Sequence, residues 1–182
     1  MDFNPRLETK RLVLRKITKE DKNDLFELLT NSKIDRRMVW NHLTDMDEIT
    51  QYIDEVVASY EKKEPSCFGI ELIESGKLIG IIKFLNYKEE FHGLEVHYML
   101  LPAHHNKGIM TEALIKVIAF VFKKTSINRI EAFCLKSNHA AGKVLEKAGM
   151  HLEGIMREKI YINGNYVDLK MFSIIKSDIQ YI

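Results

Sequence analysis

The segment Pro102-Ala103-His104-His105-Asn106-Lys107-Gly108-Ile109-Met110-Thr111-Glu112-Ala113 joins a run of alternating residues to an amphipathic one. A strand feeding a helix there would end on about four unpaired backbone N–H groups and roughly half a positive charge. A diphosphate fits such a place if the backbone lets it approach, and Gly108 has no side chain to block it. Asn106 tolerates left-handed backbone better than most residues, Lys107 adds charge, and the Thr111 hydroxyl adds a donor. The same residues equally make an ordinary strand-to-helix loop with an incidental glycine. They are not a Walker loop, because the glycine spacing and the Gly-Lys-Ser/Thr ending are missing, and the three-glycine dinucleotide pattern is absent.

A second group precedes the loop. In Leu94-Glu95-Val96-His97-Tyr98-Met99-Leu100, strand alternation puts Leu94, Val96, Tyr98 and Leu100 on one face and Glu95, His97 and Met99 on the other. A carboxylate there can accept a proton if it faces a cleft, or it is simply solvated. His97 projects beside it, as a second proton acceptor or as packing. The histidines His92, His97, His104 and His105 match no zinc-site spacing.

The flanking elements follow from periodicity. Arg11 to Ile17 reads as a strand. Thr18 opens a helix with Asp21 as capping-box partner, burying Leu25, Leu28 and Leu29. A second helix is expected after Thr44, with Asp47 in the same relation and a stripe of Met46, Ile49, Ile53, Val56 and Tyr60. Cys67 to Glu74, Lys77 to Asn86 and Leu94 to Leu101 read as strands, the first two joined at Ser75-Gly76 and the third stopped by Pro102. A helix over about Lys107 to Lys124 carries the buried stripe Leu114, Val117, Ile118 and Val121. Asn128 to Leu135 is a strand, and Asn138 caps a short helix ending at Gly149. Leu152 to Ile162 and Tyr166 to Ile175 flank Asn163-Gly164, a type I′ hairpin signal. The fold class is α+β, a mixed sheet with about four helices packed on it.

The 182 residues are expected to form one domain with a core that needs neither disulfide nor metal. With 27 basic and 26 acidic residues, the net charge of +1 lacks the footprint of a nucleic-acid binder. Cys67 and Cys134 lie in apolar runs and are expected buried and reduced. The N-terminus does not read as a signal peptide, and no apolar run approaches the ~20 residues of a membrane span. Cytoplasmic residence is the expectation.

Taken in order, four segments resemble the GNAT acetyltransferases. The loop resembles their motif A, Gln/Arg-x-x-Gly-x-Gly/Ala, with His105 at the first position, Asn106, Lys107 and Gly108 next, then Ile109 and Met110. His105 departs from Gln/Arg, Asn106 stands where glycine is frequent, and Met110 replaces a small residue. Arg6-Leu7-Glu8-Thr9-Lys10-Arg11-Leu12-Val13-Leu14-Arg15 is similar to the Leu-x-Thr-x-Arg-Leu-x-Leu-Arg of the branch that acetylates ribosomal-protein N-termini. Asn138 to Met150 is similar to its Asn-x-x-Ser-x-x-x-Leu-Glu-Lys-x-Gly-Phe, and Glu153-Gly154, Arg157 and Asp168 follow at branch-like spacing.

The resemblance implies a seven-stranded mixed sheet splayed between its fourth and fifth strands, Leu94–Leu101 and Asn128–Leu135. It implies acetyl-CoA as donor. The diphosphate would lie on His105 to Thr111, and the pantetheine arm against the backbone of Met99, Leu100 and Leu101 with Asn138 opposite. Glu95 takes the family's acidic position and would be the general base. The usual proton donors for the departing thiolate are absent, since Glu146 stands for a tyrosine and Ala141 for a serine. Water, the amine's own proton or a hydroxyl such as Tyr98 would serve. Arg36-Arg37-Met38-Val39-Trp40-Asn41-His42 falls where relatives shape the acceptor pocket, with Trp40 as lining or as core. The acceptor would be a protein or peptide α-amine, or else a small amine such as an amino acid, polyamine or antibiotic; a non-catalytic acyl-CoA-binding module is the third reading. Relatives imply a homo-oligomer, and neither nucleic acid nor membrane is an expected partner.

Overall fold

The computed structural model describes residues 3–35, 43–62 and 64–181. The expected segment around Trp40 lies outside the described residues. One mixed sheet carries β1 (Leu7–Glu8), β2 (Leu12–Arg15), β3 (Cys67–Leu72), β4 (Leu78–Lys88), β5 (Gly93–Leu100), β6 (Arg129–Leu135), β7 (His151–Ile162) and β8 (Asn165–Ile175). Its order is β1-β2-β3-β4-β5-β6-β8-β7. The strand beyond the expected seven is β1, two residues folded back onto β2 by a turn in which Leu12 N–H donates to the Thr9 hydroxyl at 3.0 Å. The helices are α1 (Lys22–Leu29), α2 (Ser32–Asp35), α3 (Met46–Glu61), α4 (Ile109–Lys124) and α5 (His139–Lys147). Periodicity located all but α2, which is too short to show a period.

The splay falls between β5 and β6. These parallel strands pair only at Gly93↔Arg129, Leu94↔Ile130 and Glu95↔Glu131. Past Glu95, β5 stays with β4 as far as Gly80↔Leu100, while β6 follows β8 along its whole length. Each strand keeps one partner, so the sheet opens into two halves hinged near Glu95.

Apolar stripes weld the helices to the sheet. Leu114, Val117, Ile118 and Val121 of α4 are buried, as are Leu25, Leu28 and Leu29 of α1 and Ile49, Ile53 and Val56 of α3. Phe68 of β3 meets Phe84 of β4 and Phe120 of α4 edge-on. Cys67 and Cys134 are free and buried.

Three boundaries differ from expectation. The segment after Thr18 first makes a 3-10 turn over Lys19–Asp21; Thr18 N–H donates to Asp21 Oδ2 at 2.8 Å, as its capping box requires. The α3 cap is Asp45, one residue later than expected. Its Oδ1 accepts from Asp47 N and Glu48 N, both at 2.9 Å, and the longer Glu48 side chain reaches back to Thr44 N at 2.5 Å. Helix α4 starts at Ile109 rather than near Lys107, because Gly108 is left-handed at φ 71° and cannot be a helical residue.

Candidate active site

The parted strands enclose a cleft of about 610 Å³ that runs from β5 and β6 to the start of α4 and the face of α5. Its phosphate end is built from two left-handed residues, Asn106 at φ 59° and Gly108 at φ 71°. Asparagine is among the few side chains that adopt this conformation readily, and glycine adopts it without strain. They turn the chain so that α4 begins under the cleft with its N–H groups at the opening. His105, Asn106, Gly108, Ile109, Met110 and Thr111 all line the cleft; Lys107 does not. A Cβ built on Gly108 would meet Arg11 Nη2 at 3.6 Å, an ordinary van der Waals distance, so the obstacle to a side chain there is backbone strain more than crowding.

The β5 wall uses alternate peptide groups. Leu101 N–H donates to Ile79 O at 2.9 Å, and the Met99 carbonyl presses so close to Gly80 that a Cβ there would sit 2.5 Å from it. Both groups therefore aim at β4. By the pleat, Tyr98 and Leu100 turn theirs toward the splay. The His105 ring engages the Leu100 carbonyl at 2.9 Å and ties the loop to the strand end. Of the expected backbone partners Met99, Leu100 and Leu101, only Leu100 presents its peptide to the opening, and Leu101 is absent from the cleft lining.

Opposite, Asn138 caps α5, its Oδ1 accepting from Ala141 N at 3.1 Å. That leaves the amide nitrogen end of Asn138 to point a donor at the cleft, which it lines. The Tyr98 hydroxyl donates to Ala141 O at 3.0 Å, and burial pushes the phenol well above its ordinary value. The hydroxyl is therefore protonated, as a donor to a thiolate must be, and Tyr98 lines the cleft.

Glu95 stands at the hinge, where the last β5–β6 pair closes. Its Oε1 contacts His97 Nε2, and its Oε2 accepts from Asn86 Nδ2 at 2.5 Å. Burial pushes the Glu95 carboxyl up, but the hydrogen bonds from His97 and Asn86 outweigh it and hold the acid below the usual glutamate value. His97 lines the cleft and Glu95 does not. The shared strand face predicted their proximity. The part played by Asn86 was not legible, because it depends on the irregularity between Leu85 and Lys88 and on a left-handed φ of 49°.

Among the described lining residues there is no carboxylate, whereas Lys33, Lys143 and Lys147 all face in. An anionic, elongated ligand suits such a wall. Coenzyme A fits on those grounds. A diphosphate matches the bare turn at Gly108, a peptide-like arm matches the parted β5 edge, and the thioester end would reach toward His97.

This sheet and cleft define a class, the acyltransferases that draw an acetyl group from acetyl-CoA and place it on an amine. The chain belongs to the GNAT family: the Acetyltransferase (GNAT) domain model matches residues 11–151. It is 31% identical to the uncharacterized N-acetyltransferase YoaA of Bacillus subtilis over 172 residues, 94% of this chain and 97% of that one. It is 28% identical to the [ribosomal protein uS5]-alanine N-acetyltransferase of Escherichia coli over 102 residues, 56% of this chain and 53% of the other. The ribosomal-protein-S5-alanine acetyltransferase structure from Vibrio fischeri superposes with a TM-score of 0.84 at 24% identity, covering 96% of this chain and 98% of that one. No helix of the described residues is long and apolar enough to cross a membrane.

Proposed function

We propose that this acetyl-CoA-dependent N-acetyltransferase acts on the N-terminal α-amine of a protein or peptide in the cytoplasm, with ribosomal proteins the first acceptors to test. The observation that carries this reading is the sequence likeness to an enzyme that acetylates the alanine end of a ribosomal protein.

In this reading the loop from His105 to Thr111 takes the diphosphate on backbone N–H groups, with Lys107 supplying charge from outside the cleft. Leu100 and Asn138 bracket the pantetheine arm, and the neighbouring Met99 packs beneath it. The amine nitrogen attacks the thioester carbonyl, a C–N bond forms, the C–S bond breaks, and coenzyme A leaves as thiolate. The amine must shed a proton. Glu95 is the sink for it, reached through the His97 imidazole that stands between Glu95 and the cleft. General-base help of this kind is worth ~10²–10⁴ in rate. The thiolate takes its proton from water, from the amine or from the Tyr98 hydroxyl, which lines the cleft.

Thiol release from acetyl-CoA should be measured with peptides beginning in Ala or Ser against a panel of amino acids, polyamines and aminoglycosides. The expected result is turnover with the peptides. Preference for a small amine would replace this acceptor class, and no thiol release with any acceptor would reduce the protein to an acyl-CoA-binding module.

A further inference from the structure

The N-terminal segment Thr9-Lys10-Arg11 and the Thr111-Glu112 pair lie about a hundred residues apart in the chain, yet they form one cluster. The Thr9 hydroxyl donates to Glu112 Oε1 at 2.6 Å, and Arg11 N–H donates to the same oxygen at 3.1 Å. Arg11 Nε donates to Glu112 Oε2 at 2.7 Å, and Nη2 pairs with that oxygen at 2.7 Å. Both carboxylate oxygens of Glu112 are therefore engaged from one side. Burial pushes the Glu112 carboxyl up, but the hydrogen bonds from Thr9 and Arg11 prevail and hold it below the usual range. The remaining guanidinium nitrogen, Nη1, donates to the Lys107 carbonyl at 2.8 Å.

That last bond gives the cluster its reach. Lys107 lies between Asn106 and Gly108, the two left-handed residues that form the phosphate turn. Left-handed backbone at a residue with a side chain costs energy and persists only where surrounding structure holds it. Arg11 holds it, with one nitrogen on the turn and two on the first turn of α4. A planar fork fixes both distances at once, which a lysine ammonium would not do. Glu112 in the first turn of α4 would itself repel a diphosphate nearby; its neutralisation by Arg11 removes that repulsion.

We propose that Arg11, with Thr9, is a positioning residue for the diphosphate of the donor, acting through Glu112 and the Lys107 carbonyl. The proposal rests on the assignment of the diphosphate to this loop.

The test compares two acetyl donors, acetyl-CoA and S-acetyl-pantetheine, which carries the same thioester but no diphosphate. In Arg11→Ala the KM for acetyl-CoA should rise about tenfold with kcat held within twofold, the pattern of lost ground-state binding. With S-acetyl-pantetheine kcat/KM should stay within twofold of wild type. Glu112→Gln should show the same donor-dependent loss, and the double variant should be no worse than the worse single one, because the two side chains act as a unit. Equal losses on both donors, or an unchanged KM for acetyl-CoA, would overturn the proposal. If Arg11→Ala does not fold, Thr9→Val removes one hydrogen bond of the cluster and is read the same way with a smaller shift. A wild-type enzyme that uses both donors equally would instead refute the loop assignment, which separates the two failures.

Discussion

At the scale of single residues, the chemistry turns on a carboxylate and a glycine. Glu95 is ionised at neutral pH because His97 and Asn86 stabilise the anion more than burial penalises it. Glu95→Gln keeps the shape and removes the sink. Turnover should fall by about 10²-fold near pH 7 and recover partly at high pH, where the amine loses its proton unaided. Since the native carboxyl is held low, it stays a base until the pH drops below the ordinary glutamate range; the wild-type rate should show no loss from this group between pH 5 and 7. A pH–rate profile of the variant that overlays the native one would remove Glu95 from the mechanism. Gly108→Val makes the complementary case at the other end of the cleft. A β-branched residue at φ 71° is strongly disfavoured, so the turn must reshape and withdraw its N–H groups from the diphosphate. Acetyl-CoA titration calorimetry should then detect no saturable binding.

At the scale of elements, what could be read in advance was whatever repeats. The α4 stripe, the β7–β8 hairpin at Asn163-Gly164 and the cap at Asn138 are local patterns, and the structure has them within one to three residues. The splay position was legible only through resemblance, since nothing in Leu94 to Leu101 says where its pairing with β6 ends. The peptide directions of Met99 and Leu101, the part played by Asn86, and the joining of Arg11 to Glu112 depend on register and long-range contact, to which a period is blind. One more long-range device joins elements. Arg15 of β2 forks onto Asp21 before α1, Nη1 to Oδ2 at 2.8 Å and Nη2 to Oδ1 at 2.7 Å, and its Nε donates to Glu71 of β3 at 2.5 Å. Burial pushes the Asp21 carboxyl up, but Arg15 and the Thr18 N–H hold it low. A carboxyl depressed in the folded state stabilises above its unfolded pKa of about 4 and loses that stabilisation as the pH falls through the folded value. Asp21→Asn removes the bidentate half of this network and leaves Arg15 with Glu71 as its counter-ion, at a cost of roughly 3 kcal/mol. That corresponds to about 6–12 °C in Tm at pH 7 for a chain of this size. The gap between variant and native Tm should narrow as the pH falls through the folded Asp21 value, below the ordinary aspartate range; a gap that does not change with pH would mean that the ion pair is not its source.

At the scale of the molecule, the sheet is two half-sheets held edge to edge by three residue pairs. Such a joint has few hydrogen bonds to lose in local opening, so the cleft should be among the less stable regions of the fold. A ligand that touches both halves makes the joint continuous. Coenzyme A laid against Leu100 on one side and Asn138 on the other would bind the closed native state and not the unfolded chain. At a hundred times its Kd, mass action alone adds about 2.7 kcal/mol of stability. For a domain of this length that is roughly 5–10 °C in Tm. Hydrogen exchange gives the same expectation spatial detail. Amides of Tyr98 and Leu100 in β5, of residues 133–135 in β6 and of the first turn of α4 should slow on binding, while the distant turn at Asn163-Gly164 should not change. Gly108→Val should lose both the Tm shift and the protection pattern together. A native protein whose Tm and exchange rates ignore millimolar coenzyme A would mean that the gap between the half-sheets is closed by something other than the donor, and the placement of the donor in the splay would fall with it.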